Sequence, residues 1–204
     1  MRSAKGQPNT PSDQWAADVA PGGRRGEILK IAARIFAKKG YRGASMREIG
    51  EQAGLLGGSL YHHIKSKDAL FVELHNDALN AAAAAIAGAV SSRHDPWDRL
   101  EAACAKLLEI QLAPDSLTLP MMNDFREVPP DVRDALVARR DSFEQPFRDL
   151  VDALPLPDCF DRSIYRNLLL SLLNNAGDWY RQGRLSPREI ARQIAFLFKH
   201  EDQS

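Results

Sequence analysis

Between Arg24 and Lys67 the chain gathers side chains suited to gripping a polyanion: Arg24, Arg25, Ser45, Arg47, Tyr61, His62, His63, Lys65 and Lys67. An arginine can give a guanine edge two parallel hydrogen bonds, which suits Arg47, while Tyr61 and His62 can stack on or bond to sugar, phosphate or base. Ser45, His63, Lys65 and Lys67 suit phosphate oxygens, and Arg24 and Arg25 stand where an arm would lean on a nucleic-acid backbone or enter the minor groove. Gly57 and Gly58 let the backbone approach a base with no side chain between. The ordinary alternatives are a Tyr61 ring that covers the core and an Arg47 that is a solvated helix arginine. Adjacent His62 and His63 point about 100° apart on a helix, and no Cys or third His stands at ligand spacing, so no metal site is expected. Gly57-Gly58-Ser59 is not a phosphate loop, since no strand precedes it and no Gly-Lys-Ser/Thr follows. With no paired nucleophile and base and no cofactor loop, the chain is expected to be no enzyme, with no catalytic residues and no cofactor.

The net charge of zero hides an asymmetry. Residues 24–67 carry ten Lys/Arg against three Asp/Glu, or +7, and residues 68–204 carry fifteen against twenty-two, or −7. A basic unit joined to an acidic remainder predicts that the first meets a polyanion while the second does something else.

These residues need helices to hold them. Apolar positions nowhere alternate over useful lengths, so the class is all-α, with about nine helices. The first, 24–39, carries Ile28, Ala32, Ile35 and Phe36 on one stripe and ends at Gly40. The second opens at Ser45, with Glu48 completing a capping box, and ends at Gly54. A third, 57–64, turns Leu60 and Ile64 inward, and the three together form a helix-turn-helix, whose last helix enters the DNA major groove. Ser66 caps a long fourth helix to about Ser92, with Leu70, Phe71, Leu74 and Ala78 on its apolar side. Asp95-Pro96 opens a fifth to about Ala113. A short helix over part of 114–128, a seventh from Pro130 to Leu154 kinked at Pro146, an eighth over 160–182 stopped by Gly183, and a ninth from Ser186-Pro187 to His200 complete the set.

Residues 1–23 read as a disordered tail, 24–67 as the helix-turn-helix domain, and 68–204 as a second domain. At 44% hydrophobic and 26% charged the composition is that of a globular chain. The uncharged run from Ala78 up to Arg93 is too short for a bilayer that needs about 20 apolar residues. The first residues lack an apolar signal region, and two cysteines, Cys104 and Cys159, make no disulfide framework, so a cytoplasmic setting away from membranes is expected.

The stretch Gly40–Phe71 resembles the DNA-binding domain of the TetR family of transcriptional regulators. The likeness rests on Gly40-Tyr41, Arg47-Glu48-Ile49, Ala53-Gly54, the run Gly58–His63, and Lys65-Ser66-Lys67. Leu56, Gly57 and Ile64 depart from the family pattern, which leaves the operator sequence open. The resemblance implies a homodimer on a palindromic double-stranded operator, paired through the eighth and ninth helices, with an effector-binding domain over 68–204. The eighth helix agrees independently: with Ile164, Leu168, Leu169, Leu172 and Leu173 it is too apolar for water on more than one side.

Candidate effector contacts on the middle helices are Trp97, Leu100, Cys104, Leu108, Met121, Met122, Phe125, Arg140, Phe143, Phe147, Asn174, Asn175 and Trp179, with core packing the ordinary alternative for each. Asn174, Asn175 and Asp178, polar groups in an apolar helix, either bridge the dimer or meet a ligand. The stretch 174–198 resembles the acyl coenzyme A-responsive subfamily, which implies a thioester effector, and Arg126, Arg139, Arg140 and Arg148 could meet its phosphates. The reading is a repressor released by a small hydrophobic or acyl coenzyme A-type effector. Its rivals are an activator or multidrug-sensing regulator of the same fold, and a small-molecule binding protein without DNA binding.

Overall fold

The computed structural model describes residues 23–56, 58–113 and 128–199. The expected tail through Gly22, the helix within 114–128, and the candidate residues Gly57, Met121, Met122, Phe125 and Arg126 lie outside the described residues. Among the described residues every regular element is helical: α1 Arg24–Gly43, α2 Met46–Gln52, a single 3₁₀ turn Ser59–His62, α3 Lys67–Val90, α4 Pro96–Gln111, α5 Pro130–Phe143, α6 Gln145–Asp152, α7 Arg162–Asn174, α8 Ala176–Trp179 and α9 Pro187–Phe198.

Start signals read from the sequence act as hydrogen bonds. Ser66 Oγ accepts from the Ala69 amide at 3.0 Å, Asp95 Oδ1 from Asp98 at 2.9 Å, and Ser186 and Glu189 close a full capping box on α9. At α2 only half of the expected box forms: Ser45 Oγ accepts from the Glu48 amide at 3.2 Å, while the Glu48 carboxylate turns to Lys39, 2.7 Å away. Asp161, unremarked in the sequence, caps α7 through the Ser163 and Ile164 amides.

Four expected boundaries move. Gly40 has a positive φ (68°) that glycine adopts freely, but its ψ of 179° is extended and not that of the expected left-handed cap, and one further turn follows it, which buries Tyr41. The third helix shrinks to one 3₁₀ turn. Gly58 supplies no side-chain cap, and glycine is a poor helix former, so little favours a longer α-helix there. The kink expected at Pro146 is a break: α5 stops at Phe143, and Pro146 sits in the first turn of α6, where its missing amide costs nothing. The eighth predicted helix divides at Asn175, whose side chain bonds the Ser171 carbonyl at 2.8 Å, leaving α8 as a separate single turn.

Two apolar cores form. The first joins Ile28, Ala32, Ile35, Phe36, Ile49, Leu60 and Ile64 of the basic head to Leu70, Phe71 and Leu74 of α3 and to Val132 and Leu136 of α5. The second joins Leu79, Ala82 and Ile86 of α3 to α4, α6, α7 and α9, and takes Phe143 from the end of α5. Helices α3 and α5 thus enter both cores, and the head is packed on them as well as on itself.

Candidate nucleic-acid interface and effector core

The inward pair of the third element packs as its spacing predicts: Leu60 and Ile64 are 2% and 3% exposed. That anchoring turns Tyr61, His62, His63 and Lys65 to solvent, and Tyr61 is 57% exposed, so its ring does not cover the core. Arg47, on the first turn of α2, is fully extended into solvent apart from a 2.7 Å bond to Glu51 one turn on. Exposed i,i+4 pairs of this kind are weak, so the guanidinium is available to a stronger anion.

The remaining head residues are committed within the protein. Ser45 uses its hydroxyl as a helix cap. Arg24 bonds Glu27 at 2.8 Å and also donates to the Ala53 carbonyl at the end of α2. Arg25 is clamped to Glu73 on α3. Lys67 lies 4.3 Å from the centroid of the Tyr41 ring, and burial lowers its pKa from the ordinary lysine value. Tyr41 in turn donates to Asp68, and burial followed by that bond raises its phenol pKa. The start of α3 is therefore welded to the turn that follows Gly40.

Of the candidate effector residues, Leu100, Cys104, Leu108, Phe143 and Phe147 meet in the second core, with Trp97 packed at its edge. Burial pushes the Cys104 thiol up to about 12, so it is an inert part of that core. Arg140 is half-buried on α5. Asn174 is half-buried and accepts a 3.0 Å bond from Gln111 Nε2. Asn175 and Asp178 are exposed, and Trp179 is half-exposed beside a shallow groove of about 200 Å³ formed with Tyr180, Arg184, Leu185 and Ile190, so the fold does not bring these three into the core. A separate groove of about 540 Å³ between α3 and α5 is acidic, lined by Asp68, Glu73, Asp77 and Asp131 around Val72 and Val132.

Sequence reasoning missed two interior polar residues, His75 and Gln111, 1% and 5% exposed. Their signal was present: His75 stands one helical turn from both Phe71 and Leu79, and Gln111 follows Leu108 by three. Burial, with Arg139 and Arg140 nearby, lowers the His75 pKa to about 4, so its ring is neutral at pH 7.

On the outer side of α7, Ile164, Leu168 and Leu172 recur every four residues and are 60%, 56% and 43% exposed. Phe196 and Leu197 of α9 are 76% and 73% exposed. No helix among the described residues is long and apolar enough to cross a membrane.

Residues 28–74 match the family described as bacterial regulatory proteins, tetR family, and residues 93–200 match the tetracyclin repressor-like C-terminal domain. The HTH-type transcriptional repressor KstR2 of Mycobacterium tuberculosis is 42% identical over 78 residues, 38% of this chain and 39% of that protein. The chain thus matches about two-fifths of that relative's length. Over the whole fold, the structure of the ketosteroid transcriptional regulator KstR2 of Mycobacterium tuberculosis superposes with a TM-score of 0.70 at 25% identity, covering 88% of this chain and 96% of that one. AibR in complex with isovaleryl coenzyme A and operator DNA superposes with a TM-score of 0.73 at 22% identity, covering 86% and 97%.

Proposed function

The chain belongs to the TetR family of bacterial regulatory proteins, a family of DNA-binding regulators rather than enzymes, and from this we propose that it is a ligand-responsive repressor that holds a palindromic operator as a homodimer. The observation that carries the reading is the solvent-facing turn Tyr61–His63, pinned from behind by Leu60 and Ile64 on a head of charge +7. Tyr61, His62, Arg47 and the Gly57-Gly58 backbone read bases, and His63 and Lys65 hold phosphates; Ser45 and Lys67 join at phosphates, and Arg24 and Arg25 at the adjoining backbone, by exchanging the contacts they make within the protein for contacts with DNA.

One head cannot read a palindrome, so the second copy joins through α7 and α9. The exposed Ile164-Leu168-Leu172 stripe with Phe196 and Leu197 is the apolar surface such a dimer needs to cover. The effector, a small hydrophobic or acyl coenzyme A-type molecule, occupies the domain from Asp68 onward near Leu100, Cys104, Leu108, Phe143 and Phe147. AibR, a protein of the same fold whose structure holds isovaleryl coenzyme A and operator DNA together, is the precedent for giving one chain both tasks. Release follows when the effector favours a conformation whose heads no longer match the half-site spacing, a coupling of about 1–3 kcal/mol. Because α3 and α5 enter both cores, they are the levers.

An electrophoretic shift with the DNA upstream of the gene tests the reading. A discrete dimer complex that weakens steeply with salt is the expected result; no complex at low or moderate salt refutes it.

A further inference from the structure

Four basic side chains meet where α3, α4 and α9 come together, at the end of α3 away from the head. Arg93 stands just past the end of α3, Lys106 on α4, and Arg188 and Arg192 one turn apart on α9; with Glu101 and Glu109 they wall a groove of about 340 Å³. Its floor is made by small residues, Ala89 of α3 and Ala102 and Ala105 of α4. Larger side chains at these positions would fill the space that the alanines leave open.

The two carboxylates do not balance the four cations. Glu109 is shared between Lys106 at 2.6 Å and Arg188 at 3.3 Å, and Glu101 receives a single long bond, 3.4 Å, from Arg192 Nε. Arg93 has no ion pair among the described residues. The groove thus carries a charge of +2 within a stretch, 68–204, that totals −7. The side chains of Arg188 and Arg192 are each 68% exposed, and ion pairs this exposed are weak. An anion that accepts two parallel bonds from a guanidinium fork is a stronger partner, and a phosphate has the oxygens for it.

Size and place narrow the ligand. Small-molecule clefts span about 300–1,000 Å³, so this one is at the small end, and its walls are charged rather than apolar. An acyl chain gains little there. Two linked phosphates, in contrast, give Arg188 and Arg192 one each to grip, since residues one turn apart on a helix are rooted roughly 6 Å from each other. Duplex DNA held by the head does not reach the groove: Ala89 stands 22 residues after Lys67 on α3, roughly 33 Å away at 1.5 Å per residue.

We propose that the groove walled by Arg93, Lys106, Arg188 and Arg192 binds a small diphosphate, either the inorganic ion or the diphosphate group of a nucleotide. The bound anion ties α9 to α4 and to the turn after α3, and so bears on the helix that also carries the exposed Phe196 and Leu197. The site is separate from the apolar effector core, and it does not rest on the repressor reading.

Titration calorimetry on the full-length protein without DNA, in magnesium-free buffer at moderate salt, tests this with inorganic phosphate, inorganic pyrophosphate and ADP. The expected result is that pyrophosphate or ADP binds tenfold or more tighter than phosphate. Whichever of the two binds tighter names the source, and equal affinity means that the diphosphate alone is read. Arg192→Gln and Arg93→Gln, both at exposed positions, each weaken that binding tenfold or more at an unchanged melting temperature. Glu109→Gln, which removes the carboxylate that competes for Lys106 and Arg188, tightens it. No preference for a diphosphate over phosphate, or groove variants that bind as the wild type does, overturns the proposal. So does binding that is lost in Arg47→Gln and kept in Arg192→Gln, because the anion then sits on the head. A protein that binds the diphosphate yet shifts no upstream DNA leaves the groove site standing and refutes the repressor reading instead.

Discussion

Arg25 of α1 and Glu73 of α3 are joined by two parallel hydrogen bonds, 2.5 and 2.9 Å long. A residue that the sequence offers to DNA is held by the helix that leads to the other domain, so the pose of α3 and the availability of Arg25 are linked. Replacing Glu73 by alanine is expected to cost no more than about 1 kcal/mol, because both partners are roughly one-third exposed. In a melting curve that is a fall of about 2–4 °C. The freed Arg25 is expected to bind the operator more tightly, with a salt slope steeper by about one; an unchanged slope removes Arg25 from the DNA-contacting set.

Tyr61→Ala and Arg47→Ala remove exposed side chains and should leave melting temperature within the noise of surface substitutions, about 0.5 kcal/mol. Each is expected to weaken specific operator binding by about 1–3 kcal/mol per lost base contact. Wild-type affinity in both variants would show that the reading surface lies elsewhere on the head.

His75 predicts a pH dependence of stability. Its folded pKa is about 4, below the ordinary 6.5 that it regains on unfolding, so between these values the unfolded chain binds the extra proton. Stability from this group is full above pH 6.5 and declines as pH falls to 4, by roughly 3 kcal/mol in all. His75→Leu should lack that part of the decline when denaturant midpoints are compared from pH 7 to pH 4. Parallel curves for the two proteins would show that the ring is not held neutral.

Leu168→Glu places a charge at the centre of the exposed α7 stripe. Sedimentation is expected to show the wild type as a dimer and this variant as a folded monomer, together with loss of operator binding, because half-sites are then met one at a time. A dimer that survives the charge would move the interface off α7.

The two cysteines should differ in reactivity. Cys159 is exposed, while Cys104 is completely buried with its thiol pushed up to about 12. An alkylating reagent at pH 8 should modify Cys159 in the folded protein and Cys104 only after unfolding. Equal rates would mean that the second core opens readily.

The amino-acid sequence by itself determined the all-helical class, most helix starts, and the inward stripes of the head, because caps, prolines and three-to-four spacing are local and act within one turn. It also marked α7 as apolar on two sides, which the buried Leu169 and Leu173 and the exposed Leu168 and Leu172 bear out. Tertiary structure alone decided which of these head cations are drawn into contacts with distant parts of the chain. Arg24, Arg25 and Lys67 look the same in sequence as Arg47 and Lys65, and only the arrival of Ala53, Glu73 and the Tyr41 ring from distant positions engages the first three. It likewise decided that His75 and Gln111 face inward, since the pairing of α3 with α4 and α5 depends on contacts tens of residues apart that no local pattern records.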